Sequence, residues 1–242
     1  MFERIISHVC AYTHAENSRD SELIQLVSWI QEQSGSGLTL VGHHVDSFTN
    51  SDGTNALVDG GVPYFSIRQL KSGRSRSGSL QRVIALWPNS EMIADIEDNL
   101  SDLKALGVLT FSFKDIESWR VARQAIDVLK LAPTSKLPEL PIELLGALRS
   151  LTLRVNLSSG LSHPMDFDAA LLTFKRLRDS RIHFDGDQIE IWAMSNGWAS
   201  SDASELGALA RDIASGKSRR LKARSEPYKA EILNHWREIG SK

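Results

Sequence analysis

The chain has 242 residues, 41% of them hydrophobic, a net charge of −2 and a single cysteine. That is enough apolar material for a sizeable core or two smaller ones, and too little bulk charge for a general polyanion binder. One cysteine excludes an internal disulfide and most cysteine-based zinc sites, so Cys10 reads as a small buried hydrophobe in a reducing compartment.

Residues 3–11 cluster apolar side chains and predict a first strand. A loop follows, then a helix with Leu23, Leu26, Val27 and Ile30 on one face. Ser34-Gly-Ser-Gly37 ends it, and Leu38–Val41 is a second strand running into Gly42-His43-His44. From Asp46 to Gln81 the pattern weakens; Val62–Leu70 could be a short strand, a short helix or neither, and the region is expected to be a long excursion on one side of the sheet.

Arg82–Ile126 carries the clearest signal. Val83–Trp87 is an apolar run stopped by Pro88. Asn89 or Ser90 then caps a helix with Met92, Ile93, Ile96 and Leu100 on one stripe. Leu106–Phe111 is the next run. Ser112-Phe-Lys-Asp115 has capping-box spacing, ahead of a helix bearing Ile116, Trp119, Ala122, Ile126 and Leu129. Strand, helix, strand, helix predicts βαβ units and a parallel pair.

The texture changes at 132–141, where three prolines fall within ten residues. That segment is expected to be a linker between an α/β domain (1–131) and an α-helical domain (142–242). The helical half should hold a helix from Pro141 and one from Pro164 with Asp166 and Asp168 near its start. Further helices are expected from Asp185 to Ala193, from Ser201 or Asp202 to Gly216, and from Pro227 onward. The fold class is therefore α/β, a small mostly parallel sheet flanked by helices, followed by an all-α domain.

Several chemistries are excluded. Gly73-Arg-Ser-Arg-Ser-Gly78-Ser79 lacks the lysine of a P-loop and precedes a strand, and Gly35-Ser-Gly37 is no dinucleotide fingerprint. GxSxG and HExxH are absent. The helix pair 187–215 has helix-turn-helix length, but its outward positions Asp202, Glu205, Ala208, Arg211 and Asp212 are net acidic, so it reads as structural. No cofactor or metal is expected.

Two acid-free basic runs remain. One comprises Lys71, Arg74, Arg76 and Arg82, the other Lys217, Arg219, Arg220, Lys222 and Arg224. They point to a non-catalytic protein contacting a polyanion, most plausibly nucleic acid, through its loops. The rival reading is an enzyme acting on a phosphorylated or nucleotide-like small molecule at the sheet edge, where His14, His43 and His44 should gather. A third is an assembly module that packs on a protein partner or on a second copy. No signal peptide or membrane span is expected, and the location expected is the cytoplasm.

Overall fold

The computed structural model describes residues 8–242 except 16–18, 45, 47, 48, 50, 73–79, 134, 135 and 224. Arg74, Arg76 and Arg224 therefore lie outside the described residues. The chain divides into two compact units, the division falling between Lys136 and Leu137.

The N-terminal unit runs β1 (Val9–His14), α1 (Arg19–Gln31), β2 (Leu38–Gly42), α2 (Asp52–Asp59), β3 (Tyr64–Ser66), α3 (Ile67–Lys71), β4 (Arg82–Leu86), α4 (Ser90–Asn99), β5 (Ala105–Thr110), α5 (Glu117–Ala122), β6 (Ile126–Asp127) and β7 (Ala132–Pro133). The strand order is β3-β2-β4-β5-β1-β6-β7, parallel throughout except for β7. Leu23, Leu26 and Ile30 of α1, with Leu57 and Val58 of α2, pack against Ala11, Leu40, Ile84 and Leu109 on one face. Leu70 of α3, Met92, Ile93 and Ile96 of α4 and Trp119 of α5 pack against Tyr12, Val41, Val83 and Val108 on the other. This is a doubly wound sheet. Connections running toward β3 put their helices on one face and connections running back put theirs on the other, as right-handed crossovers require. At Gly107 a Cβ would meet Leu26 at 3.1 Å, so the missing side chain is what lets α1 lie close over β5.

Among the described residues of 46–81, β3 and α3 fall in the stretch 62–70 left open between strand and helix, and β3 extends the sheet as an edge strand; α2 was not expected. Propensity does not announce α2, whose first residues are Asp-Gly-Thr-Asn. Its start is fixed by capping and by a tertiary contact. Ser51 Oγ accepts from Thr54 N at 3.2 Å, and Asp20 of α1 accepts from Ser51 Oγ and Gly53 N, each at 2.9 Å. In α3, Ser66 and Gln69 form a capping box.

The helix after β5 is also shorter than expected. Ser112 makes no side-chain cap; its N–H donates instead to Thr110 Oγ1 at 3.1 Å, and a 3-10 turn (Phe113–Ile116) precedes α5. Gln124 at φ 49° ends that helical stretch. Ile126 then enters β6, and Leu129 is exposed instead of joining a stripe. Ala132 and Pro133, expected in the linker, pair antiparallel with β6.

The C-terminal unit is helical: α6 (Ile142–Arg154), a 3-10 turn (Gly160–Ser162), α7 (Pro164–Asp179), α8 (Gly186–Ser195), α9 (Ser200–Ala214) and α10 (Ile232–Gly240). Two helix pairs meet at glycine. A Cβ on Gly146 of α6 would sit 1.7 Å from the Trp236 carbonyl oxygen, and one on Gly240 2.0 Å from that of Ile142. Gly186 and Gly207 bring α8 and α9 together in the same way. The last helix starts at Ile232, not Pro227, and α9 starts at Ser200, ahead of both expected caps. No helix of the described residues is long and apolar enough to cross a membrane.

Candidate functional site

Within the α/β unit the expected site residues fall at the two edges of the sheet, set by element ends, and the second basic run belongs to the helical unit. Lys71 closes α3 and Arg82 opens β4, so both sit toward the amino edge of the sheet. Lys71 is tied to Asp95 at 2.8 Å. Arg82 donates to the Gly37 carbonyl at 3.3 Å and to that of Gln31 at 3.1 Å, covering the C-terminal end of α1. Both cations thus have local structural duties.

The histidines lie at the opposite, carboxyl edge, as expected of parallel strands. His14 ends β1, and His43 and His44 follow β2. They do not converge. In the strand order β4 and β5 lie between β2 and β1, so the strand ends are about 14 Å apart at normal interstrand spacing. His43 and His44 face each other at 6.4 Å between ring centroids, and Tyr64 Oη donates to the His44 carbonyl. His14 Nε2 donates to the Phe111 carbonyl at 2.6 Å, and its ring stacks on Phe113 at 4.5 Å.

In the helical unit, the run 217–223 is held in place and not merely hydrated. Asp168 of α7 is fully buried, and it accepts from the backbone N–H of Lys222 at 2.7 Å and of Ala223 at 2.9 Å. Burial pushes its carboxyl up, but these N–H donors and those of Ser225 outweigh it and leave it below the usual range. Two turns along the same helix face, Lys175 Nζ donates to the Arg219 carbonyl at 3.1 Å. Lys222 Nζ lies 3.8 Å from the centre of the Phe167 ring. Lys217 and Arg219 share one carboxylate, Asp212, whose pKa they hold down. Arg220 is exposed with no acidic partner among the described residues. Lys175, Lys217, Arg219, Arg220 and Lys222 thus gather around two aspartates, one of them buried, and the local charge stays positive.

Residues 144–237 match a family model described as Domain of unknown function (DUF1889). The similarity spans α6 to α10 and takes in the whole basic segment, but less than half of the chain. No curated protein and no solved structure matches the chain.

One buried polar cluster was not anticipated. Glu97 of α4 accepts from His8 Nε2, Trp119 Nε1 and Arg123 Nε, each at 3.0 Å, and from Arg123 Nη2 at 2.8 Å. Burial pushes its carboxyl up; His8 and the Arg123 guanidinium more than reverse this and hold it well below the usual range. His8, Cys10 and Glu97 offer ligand atoms within 4.8 Å of one another. A cation there would face Arg123 and compete with it for Glu97, while burial pushes the Cys10 thiol up and away from the thiolate a metal needs. The cluster reads as a structural lock joining α4, α5 and the residue ahead of β1.

Proposed function

We propose that the protein is a binding protein that contacts nucleic acid through the basic segment 217–223 of its helical unit, with Lys175 of α7 beside it. The observation that supports this reading is the anchoring of the segment by Asp168. A loop kept charged only for solubility needs no buried carboxylate to fix its backbone, whereas fixing it removes the ordering cost of binding. Cations so placed contact phosphates and give affinity without much sequence preference. No aromatic residue lies within the segment, so backbone contact is favoured over base stacking. Lys71 and Arg82 contribute less to this reading, being engaged by Asp95 and by main-chain carbonyls.

Titration of a fluorescent DNA duplex should show binding that weakens at least tenfold between about 50 and about 200 mM salt. Replacing Lys217, Arg219 and Arg220 together by alanine should weaken it at low salt and flatten its salt dependence by about one power per cation lost. Asp168→Asn separates order from charge. It removes a negative charge, which alone would strengthen binding, yet the unmoored segment is expected to bind more weakly. Absent binding at low salt, or equal binding by the triple variant, would overturn the proposal.

A further inference from the structure

The C-terminal end of α9 carries a charge where helix physics disfavours it. Asp212 stands in the last turn of α9, against the partial negative charge of the unpaired carbonyls, where a cation is preferred. Arg211 beside it obeys that preference, and Asp212 contradicts it. The chain beyond folds back to meet the misplaced charge. Gly216, at φ 81°, donates its N–H to the Ile213 carbonyl at 3.1 Å, and Lys217 donates its own to the Asp212 carbonyl at 2.9 Å. These are the two bonds of a Schellman cap, and they fix where Lys217 leaves the helix.

Two side chains of the basic segment then close on the Asp212 carboxylate. Lys217 Nζ donates to Oδ1 at 2.8 Å. Arg219 donates to Oδ2 through Nε at 2.9 Å and through Nη2 as well. The Asp212 side chain is left 13% exposed, whereas those of Lys217 and Arg219 are 68% and 54% exposed. The carboxylate is therefore wrapped by two cations whose outer sides still face solvent. An ammonium and a guanidinium converging on one pair of oxygens is also how proteins hold a phosphate. The neighbouring cations are disposed differently. Lys175 is engaged by a carbonyl and Lys222 by the Phe167 ring, while Arg220 is exposed and has no acidic partner among the described residues.

Taking 217–223 as the nucleic-acid contact, we propose that Asp212 is an internal stand-in for a ligand phosphate: Lys217 and Arg219 form a phosphate-binding subsite that this carboxylate keeps closed until a phosphate of the nucleic acid replaces it. Arg220 makes the first contact, and the other two cations follow by exchanging one anion for another. The exchange leaves no donor unpaired, but it holds the affinity below what three unpaired cations would give. It also selects the class of ligand. A tethered carboxylate competes at an effective concentration of roughly millimolar. Free phosphate or a mononucleotide at lower levels leaves the subsite closed, and a polynucleotide, which brings many phosphates together, opens it.

Titrating the fluorescent duplex into the wild-type, Asp212→Asn and Glu205→Gln full chains, at about 50 and about 200 mM salt, tests this. Asp212→Asn should bind about fivefold more tightly, or better, at the lower salt. Its salt dependence should steepen by about one power or more, because the freed cations gather anions on their own and bind more phosphates outright. Glu205→Gln removes the same charge from the same helix about 10 Å away, roughly one Debye length, and should change the affinity by about twofold at most. Both variants should keep the wild-type thermal midpoint. The wild type gives a second reading by nuclear magnetic resonance. Saturating duplex should shift the Arg219 Nε–H signal, and free phosphate at about 0.1 mM should not. Equal affinities for Asp212→Asn and Glu205→Gln, or an Arg219 signal unmoved by bound duplex, would overturn this inference while the nucleic-acid reading stands. No binding by any of the three proteins at low salt would overturn both.

Discussion

Replacing Glu97 by alanine should destabilise the α/β unit by about 3–5 kcal/mol, the usual cost of stripping one partner from a buried ion pair. The change leaves Arg123 buried without its carboxylate and takes the acceptor from Trp119 Nε1 and His8. Glu97→Gln should be nearly as damaging at neutral pH, since shape returns but charge does not. The pH dependence follows from the direction of the shift. A carboxyl held below its unfolded value of about 4.3 contributes fully above that pH and loses its contribution as pH falls toward the folded value. Denaturant titrations followed by hydrogen exchange of the β4 and β5 amides, from neutrality into acid, should show the wild type losing stability below about pH 4. The Gln variant should lose less over the same interval. A loss of under about 1 kcal/mol on Glu97→Ala would place the cluster among exposed, inconsequential pairs.

Gly146→Ala should be comparably severe in the helical unit. The added carbon would collide with a backbone carbonyl, which cannot rotate aside as a side chain can, so α10 must move bodily. Trp236, now 1% exposed, would be uncovered, and the combined overpacking and lost burial should cost about 3 kcal/mol or more. Hydrogen exchange should find α10 and the adjoining face of α6 deprotected. Protection of the β4 and β5 amides should be unchanged. A variant with wild-type exchange in α10 would refute the close crossing.

The stretch from Val83 to Phe111 was legible because each boundary carried its own chemistry: Pro88 after a strand, Asn89 accepting from Met92 N, then an apolar stripe. α2 was not legible, because Asp20, thirty-one residues away from Ser51, helps fix its start. Glu97 could have been found. It stands four residues after Ile93 and three before Leu100, inside the apolar stripe, where a charge demands a buried partner. Asp168 gave the same signal ahead of Leu171 and Leu172. The partners themselves could not be read, since His8 is 89 residues from Glu97 and Lys222 is 54 from Asp168.

In both units an early element waits for a late one. β1 lies between β5 and β6, and α6 is closed by α10. During synthesis β1 therefore leaves the ribosome without either neighbour, and the growing chain must carry it until residues 105–127 emerge. α6 waits longer still, its glycine face open until Gly240 has been added. A nascent chain halted before residue 232 would display that face uncovered, giving chaperones or quality-control proteases a sign that the protein is unfinished.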